Sequence, residues 1–363
     1  MPKVSVIMPS LNVAPYIREC IDSVCAQTLR EIEILCVDAG STDGTWEILE
    51  ETAARDGRIT LIRSEKKSYG YQVNLGMDRA TGEYIGIVET DDYIEPDMYE
   101  KLYNAAKEED LDILKADYYI ATGDGTKRWQ IPCYLAKRRW QYHRVFEPAA
   151  EPEVFNNTIC NWAGIYRTDF LRQYGIRHSE TPGASFQDIG FWFRALAMAK
   201  RMRFCHRGYY HLRRDNPGSS VYSPDKLYFE NEEFDGCRSF LRQFPERERR
   251  LAGVCAYQRF RSGIYFSMKR LSEQNQHLFL ERFAEDFRKI EAAGELDRSL
   301  FTAREWRALR AIMAEPSAYY RLRETKALPG ENRNRLEGGW RCVREHGLRY
   351  TLRYLRSGKG FGR

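Results

Sequence analysis

The stretch "GEYIGIVETDDYIEPDMYEKL", residues 82–102, decides the fold, because an apolar run ends there on three acids before an amphipathic segment begins. "EYIGIVE" is short and apolar, and it reads as a buried strand. The segment that starts near Pro96 reads as a helix. Glu89, Asp91 and Asp92 therefore meet at the strand's carboxyl end, where adjacent carboxylates repel and stay ionised only if solvent or a cation offsets the repulsion. Their hard oxygens suit Mg²⁺ or Mn²⁺, ions that keep waters and hold phosphates besides one or two protein carboxylates. The plain alternative is a solvated acidic turn at the start of the following helix.

Working outward, "KVSVIMP" reads as a strand and "APYIRECIDSVCAQT" as a helix with Ile17, Ile21 and Val24 on one face. "EIEILCVDAGSTDGT" is a second strand entering a turn, and "TWEILEETAARD" a second helix. "RITLIRS" is a third strand, followed by a helix over "VNLGMDRAT". Strands alternating with helices predict a Rossmann-like, mostly parallel α/β sheet flanked by helices, with ligands beyond the carboxyl ends of its strands. "MPSLN", "VDAGSTDG" and "ETDD" all fall at such ends. Residues 112–120 read as another strand, "FQDIGFWFRALAMAKR" as a helix and "MRFCHRGYYHLRR" as a closing strand. Residues 226–363 turn to charged helical stretches, which divides the chain into a catalytic-type domain over 1–225 and a basic helical region over 226–363.

Composition narrows the classes. With 57 basic and 52 acidic residues the formal charge is only +5, so charge alone does not argue for a nucleic-acid partner, and the arginine-rich end carries no recognised RNA motif. Nine cysteines without a C-x-x-C pair point to reduced thiols rather than a disulfide framework or zinc site. No apolar run reaches the ~20 residues of a membrane span, and "MPKVSVIMPSLN" enters a strand directly. The expected location is the cytoplasm or the inner face of the cell membrane.

"VSVIMPSLN…YIRECIDSVCAQT", "VDAGSTDGT", "NLGMDRATGEYIGIVETDD" and "SFQDIGFW" together resemble, in order and spacing over about residues 3–225, the family 2 inverting glycosyltransferases of the GT-A fold. That resemblance implies a nucleotide-sugar donor, a glycan acceptor and a Mn²⁺ or Mg²⁺ ion bridging the donor diphosphate to "ETDD", with Glu89 where many members carry the first aspartate. Asp91 and Asp92 are then the metal or ribose contacts. Pro9, Ser10 and Asn12 line the base and ribose side, Asp38 bonds the base or ribose, and the stretch from Ser68 to Asn74, with Gly70, closes over the nucleotide. UDP is the implied base, although Ala39 stands where the family often has a second aspartate.

The same resemblance makes Asp188 the catalytic base, with Gln187 in place of a neighbouring acid; a helix N-cap is the alternative. The chemistry implied is a single displacement at the anomeric carbon with inversion. Asn161 and Trp162 fall in the acceptor region, where an aromatic face suits a sugar, while Trp162 and Tyr166 also have core spacing. His211, Arg213, Arg214 and Ser219 fall where basic and hydroxyl groups reach the diphosphate; a basic edge strand is the alternative.

The last stretch, "WRCVREHGLRYTLRYLRSGKGFGR", interleaves arginines with Leu348, Tyr350, Leu352, Tyr354 and Leu355. It reads either as an interfacial anchor for anionic lipid, fitting a lipid-linked acceptor, or as a helix packed on the catalytic domain or on a second copy in a homodimer. The expected activity is a metal-assisted hexosyl transfer in bacterial surface polysaccharide biosynthesis. The competing expectation is a nucleotide-sugar-binding assembly or regulatory subunit of the same fold without turnover.

Overall fold

The computed structural model describes residues 1–123, 128–218, 226–325 and 327–328. The chain divides into two compact units, Met1–Ser220 and Val221–Arg363.

The first unit opens with β1 (Val4–Ser10), α1 (Ala14–Cys25), β2 (Ile32–Asp38), α2 (Thr45–Ala53), β3 (Ile59–Arg63), α3 (Tyr69–Arg79) and β4 (Tyr84–Ile87). These strands pair in parallel in the order β3-β2-β1-β4. All of β1 is buried, as a strand covered on both faces must be, and its sequence is correspondingly almost entirely apolar. Helix α1 turns Ile17, Ile21 and Val24 inward, as the spacing predicts. Helix α3 begins at Tyr69, four residues before the expected start, because Ser68 caps it by accepting from Tyr71 N.

The sheet continues through β5 (Tyr93–Ile94), α4 (Met98–Glu108), β6 (Ile113–Gly123), β7 (Arg128–Cys133), β8 (Gly164–Arg167), α5 (Thr168–Gln173), α6 (Gln187–Met198) and β9 (Met202–Arg213). Among the described residues its full order is β3-β2-β1-β4-β8-β6-β9-β5, with β7 paired to β6. Parallel pairing stops at β4, because the four-residue β8 inserts antiparallel between β4 and β6. β9 then runs parallel to β6 and pairs antiparallel with β5. The sheet is therefore mixed, with its parallel half on the side of β1 and β2. β9 is an interior strand rather than a closing one.

This topology sends the ends of β1, β2 and β4 to one edge, and their loops are bonded together there. Ala39 N donates to Ser10 O at 3.0 Å, Thr42 N to Asn12 Oδ1 at 2.9 Å, and Thr90 Oγ1 to Pro9 O at 2.8 Å.

The second unit is helical: α7 (Phe229–Leu241), α8 (Pro245–Tyr265), α9 (Glu273–Ala292), α10 (Ala303–Ala314) and α11 (Ala318–Glu324). Phe260, Phe279, Phe283 and Phe287 form its core with Leu309 and Ile312. Thr302 and Glu305 start α10 with a reciprocal capping box. No helix among the described residues is long and apolar enough to cross a membrane. The arginine-rich stretch 340–363 lies outside the described residues.

Among the described residues, Arg259 is the one basic side chain buried inside this helical unit. Arg259 is buried and bonds Asp235 at 2.7 Å and Asp286, and Asp286 also accepts from Arg282 Nε at 2.9 Å. Removing one partner of a buried pair leaves the other charge desolvated. Arg259→Met is expected to lower stability by about 2–4 kcal/mol, below the full cost of a broken buried pair because Arg282 remains. A paired Arg259→Met/Asp286→Leu replacement should recover most of that loss in urea titrations. Equal loss in single and double variants would contradict the electrostatic account.

Candidate active site

The acidic turn after β4 is held by the end of β9. Tyr210 OH donates to Asp92 Oδ2 at 2.7 Å and accepts from Glu89 N at 3.0 Å. Arg213 N donates to Asp92 Oδ1 at 2.6 Å, and Arg213 Nε to Asp91 O at 2.7 Å. Asn216 Nδ2 reaches Asp91 Oδ2 at 2.9 Å. Asp92 is buried with both carboxylate oxygens engaged in this way, and burial pushes its pKa well up. Its place is inside the wall of the site. Asp91 and Glu89 are the half-buried acids of the turn.

Glu89 differs from its neighbours in its surroundings. Burial raises its carboxyl to about 8; a hydrogen bond from Tyr69 OH to Oε1 at 2.7 Å opposes the shift, and the charges of Asp91 and Asp188 add to it. Tyr69 OH in turn accepts from Asn161 Nδ2 at 2.6 Å, and Asn161 Nδ2 lies 3.3 Å from His178 Nε2. His178 stacks on Phe191 and meets the Tyr69 ring edge-on. Burial drives its pKa to about 3, so it is a neutral imidazole. Glu89, from the acidic turn, and Asn161, from the stretch before β8, are thus joined through a single phenol.

Asp188 stands in the first turn of α6, where positive peptide dipole faces a carboxylate. The N-cap is Phe186, in the left-handed region at φ 63°, and no side chain caps the helix. Asp188 Oδ1 accepts from Ile189 N at 3.0 Å. Gln187, in place of an acid, is spent on its own loop: Nε2 donates to Thr181 Oγ1 at 2.9 Å and Gly183 O at 3.2 Å, and Oε1 accepts from Ser185 N. Trp162 is half-buried and stacks on Tyr210, with ring centroids 4.7 Å apart, while Tyr118 meets it edge-on. Tyr166 is fully buried.

At the ends of β1 and β2, Pro9 and Ser10 close β1, and Ser10 Oγ is buried with no hydrogen-bond partner among the described residues. Asn12 is exposed, adopts φ 53°, and fastens the β2 loop through Oδ1. Asp38 is buried and organises its own turn: Oδ1 accepts from Gly40 N and Ser41 N, and Oδ2 from Ser41 Oγ. Arg63 reaches Asp38 Oδ1 at 3.4 Å and lies over the Trp46 ring. Gly70 and Asn74 face residues 178–180. A Cβ on Gly70 would fall 1.9 Å from Ser179 O, and Asn74 exchanges bonds with His178 N and O at 2.9 Å. Both residues clamp α3 to that segment.

Of the basic residues expected at the diphosphate, Arg213 reaches the acidic turn through both its backbone N and its Nε, while His211 and Arg214 are engaged elsewhere. His211 is sandwiched between Tyr93 and Tyr119 and pairs with Glu95 at 2.8 Å, and burial holds its pKa below the usual range. It presents no surface to a ligand. Arg213 is also buried, and its guanidinium pairs with Glu19 at 2.5 Å. Arg214 is half-buried and its N donates to Ala121 O. Ser219 lies outside the described residues. Sequence reasoning did not single out Tyr69, His178, Tyr210 or the buried Lys115, although Tyr69 falls in the Ser68–Asn74 stretch and Tyr210 in the strand that carries His211 and Arg213; each is recognisable as a site residue only through its partners.

Among the described residues no three acidic, histidine or cysteine side chains converge as a closed metal cage. The donor set still fits a hard divalent cation, because Asp91 with Glu89 supplies one or two carboxylate oxygens and such ions complete their shell with water and phosphate.

The raised Glu89 carboxyl has a measurable consequence. Below about pH 4.5 it is protonated in both folded and unfolded chains; between there and pH 8 only the folded chain holds the proton, so stability falls as pH rises through that window. In chelator-treated protein, Glu89→Gln should abolish this loss and exceed wild type by roughly 1–3 kcal/mol at pH 9, a range discounted for partial exposure. Parallel stability curves for the two proteins from pH 5 to 9 would contradict the assignment.

Comparison with known proteins bears on the family and the fold. Residues 5–175 match the family model described as glycosyl transferase family 2. The chain is 33% identical over 227 residues to the uncharacterized glycosyltransferase EpsJ of Bacillus subtilis, covering 62% of this chain and 65% of EpsJ. It is 37% identical over 100 residues to chondroitin synthase of Escherichia coli, covering 28% of this chain and 15% of that protein. It therefore spans less than two thirds of either relative. The crystal structure of S. aureus TarS residues 1–349 with UDP superposes with a TM-score of 0.67 at 20% identity, covering 93% of this chain and 91% of that fragment. Residues 5–175 thus match glycosyl transferase family 2, and the first unit has the GT-A fold.

Proposed function

We propose that the protein is an inverting glycosyltransferase that moves a sugar from a UDP-sugar to a glycan acceptor in bacterial surface polysaccharide assembly. The observation that carries this reading is Glu89, bonded by Tyr69, lying within electrostatic reach of both Asp91 and Asp188. Support for the donor class comes from TarS, of the same fold, which has been crystallised with UDP and with UDP-GlcNAc. Support for a glycan acceptor comes from the name of the chondroitin synthase relative.

In this reading Asp188 accepts the proton of the acceptor hydroxyl as that oxygen attacks the anomeric carbon from the face opposite the diphosphate, and the bond to the diphosphate breaks with inversion. Trp162 offers an apolar ring to the acceptor sugar, and Asn161 fixes the acceptor side to Glu89. Asp91, with Glu89, would hold a Mn²⁺ or Mg²⁺ ion, whose chemistry when bound is to neutralise charge growing on the departing diphosphate. Asp92, Tyr210 and Arg213 set the position of the acidic turn. Pro9, Ser10, Asn12 and Asp38 shape the nucleoside end of the cleft, with Gly70 and Asn74 maintaining its wall. Enzyme at the cytoplasmic face, with a basic tail suited to anionic lipid, would meet a lipid-linked acceptor.

The test is UDP release from a panel of UDP-sugars with Mn²⁺, Mg²⁺ or chelator. One donor should give metal-dependent release. Asp91→Asn should lower it roughly 10²- to 10³-fold. Asp188→Asn should lower kcat for transfer about 10²- to 10⁴-fold while leaving UDP affinity unchanged. Near-normal transfer by Asp188→Asn would remove it as base. UDP binding without turnover on any donor, with acceptor extracts supplied, would favour a non-catalytic subunit.

A further inference from the structure

Lys115 is the largest charge buried in the first unit that the proposed chemistry leaves unused. It lies on β6 with no exposed surface, and no carboxylate partner is recorded for it among the described residues. An ammonium in that position is retained only if its protons are well spent. Its Nζ donates to Asn161 O at 3.2 Å, to Trp162 O, and to Tyr166 OH at 3.2 Å. Two consecutive backbone carbonyls thus point inward at one cation. Burial lowers its pKa to about 8, with the neighbouring Cys160 acting in the opposite sense.

The backbone those carbonyls belong to is strained. Ala163, next to Trp162, has φ 51°, a left-handed conformation that a residue with a Cβ adopts only when its surroundings impose it. Gly164 follows, and a Cβ there would lie 2.4 Å from Leu114 O and 2.7 Å from Lys115 Cδ. The start of β8 is therefore pressed against the Lys115 stem while the ammonium pulls the two preceding carbonyls inward. With the carbonyls fixed, Asn161 sends its amide to Tyr69 OH, and the Trp162 ring comes to rest on Tyr210.

We infer that Lys115 is a positioning residue for the acceptor side of the site: its ammonium holds residues 161–163 in a strained turn that aims Asn161 at Tyr69 and lays Trp162 against Tyr210. The inference rests on the proposed function only for the word acceptor; the positioning itself is a property of the fold. Loss of the ammonium releases the turn while leaving β1, β2 and the acidic turn in place.

The experiment uses the full chain labelled with 5-fluorotryptophan, the Trp162 ¹⁹F line being identified by its loss in Trp162→Phe. In Lys115→Met the Trp162 line is expected to shift and broaden. The Trp192 line should move with it, because Lys115 lies 5.8 Å from that ring, while the remaining tryptophan lines stay put. UDP affinity by calorimetry should be unchanged. An unmoved Trp162 line would overturn the inference. Ala163→Gly keeps the ammonium and relieves the strain, so it tests the same point if Lys115→Met does not fold. Its Trp162 line is expected at the wild-type position, and a displaced line would show that the alanine conformation, not the cation, places the ring. Failure of UDP to bind the wild-type chain would sink the proposed donor and leave the ¹⁹F result on Lys115 standing.

Discussion

Like charge crowded at the end of β4 is the constraint around which the first unit is arranged. Three acids in four residues cannot all face the same water-poor cleft as free anions. The fold separates them by environment. Asp92 is buried and satisfied by Tyr210 and Arg213, Asp91 stays half-buried with a side-chain bond from Asn216, and Glu89 is turned towards Tyr69. The mixed half of the sheet follows from this need. β9 must run beside β6 and meet β5 for Tyr210 and Arg213 to arrive at the turn, and β8 must insert antiparallel for Asn161 to reach Tyr69.

Much of this was legible in the residues. The parallel half could be read because its strands are buried on both faces and alternate with amphipathic helices, a pattern with few competing solutions. The three loops that meet at the cleft were likewise visible as motifs at strand ends. β8 was not, because "GIYR" is too short for any periodicity and owes its place to Gly164 allowing close approach to β6. The individual parts of the site residues were the least legible. Asp38 and Asn74 occupy motif positions, yet their polar atoms are bonded to their own loops and to residues 178–180. Which neighbour a polar side chain will find is a tertiary fact, and no local pattern encodes it.

The buried cations in the two units illustrate different solutions to one cost. Arg259 is offset by Asp235 and Asp286 in the helical unit, an ion network with formal countercharges. Lys115 is offset by carbonyl and phenol oxygens and by the Tyr166 ring beneath it, partial charges fixed by the fold. The first arrangement secures a helix core, and the second secures the shape of a turn.

Helix α3 ties two loops that the linear sequence keeps far apart. Ser68 bridges to Gly183, Tyr69 N donates to Gly183 O, Gly183 N returns to Lys67 O, and Asn74 grips His178. The loop that leads into Asp188 is therefore laced to the loop that precedes Tyr69. Chimaeras between relatives face a boundary set by this lacing. A graft of residues 178–188 from another member would arrive with bond donors cut to a different α3, and only a transplant that carries residues 66–74 along with it keeps the seam intact.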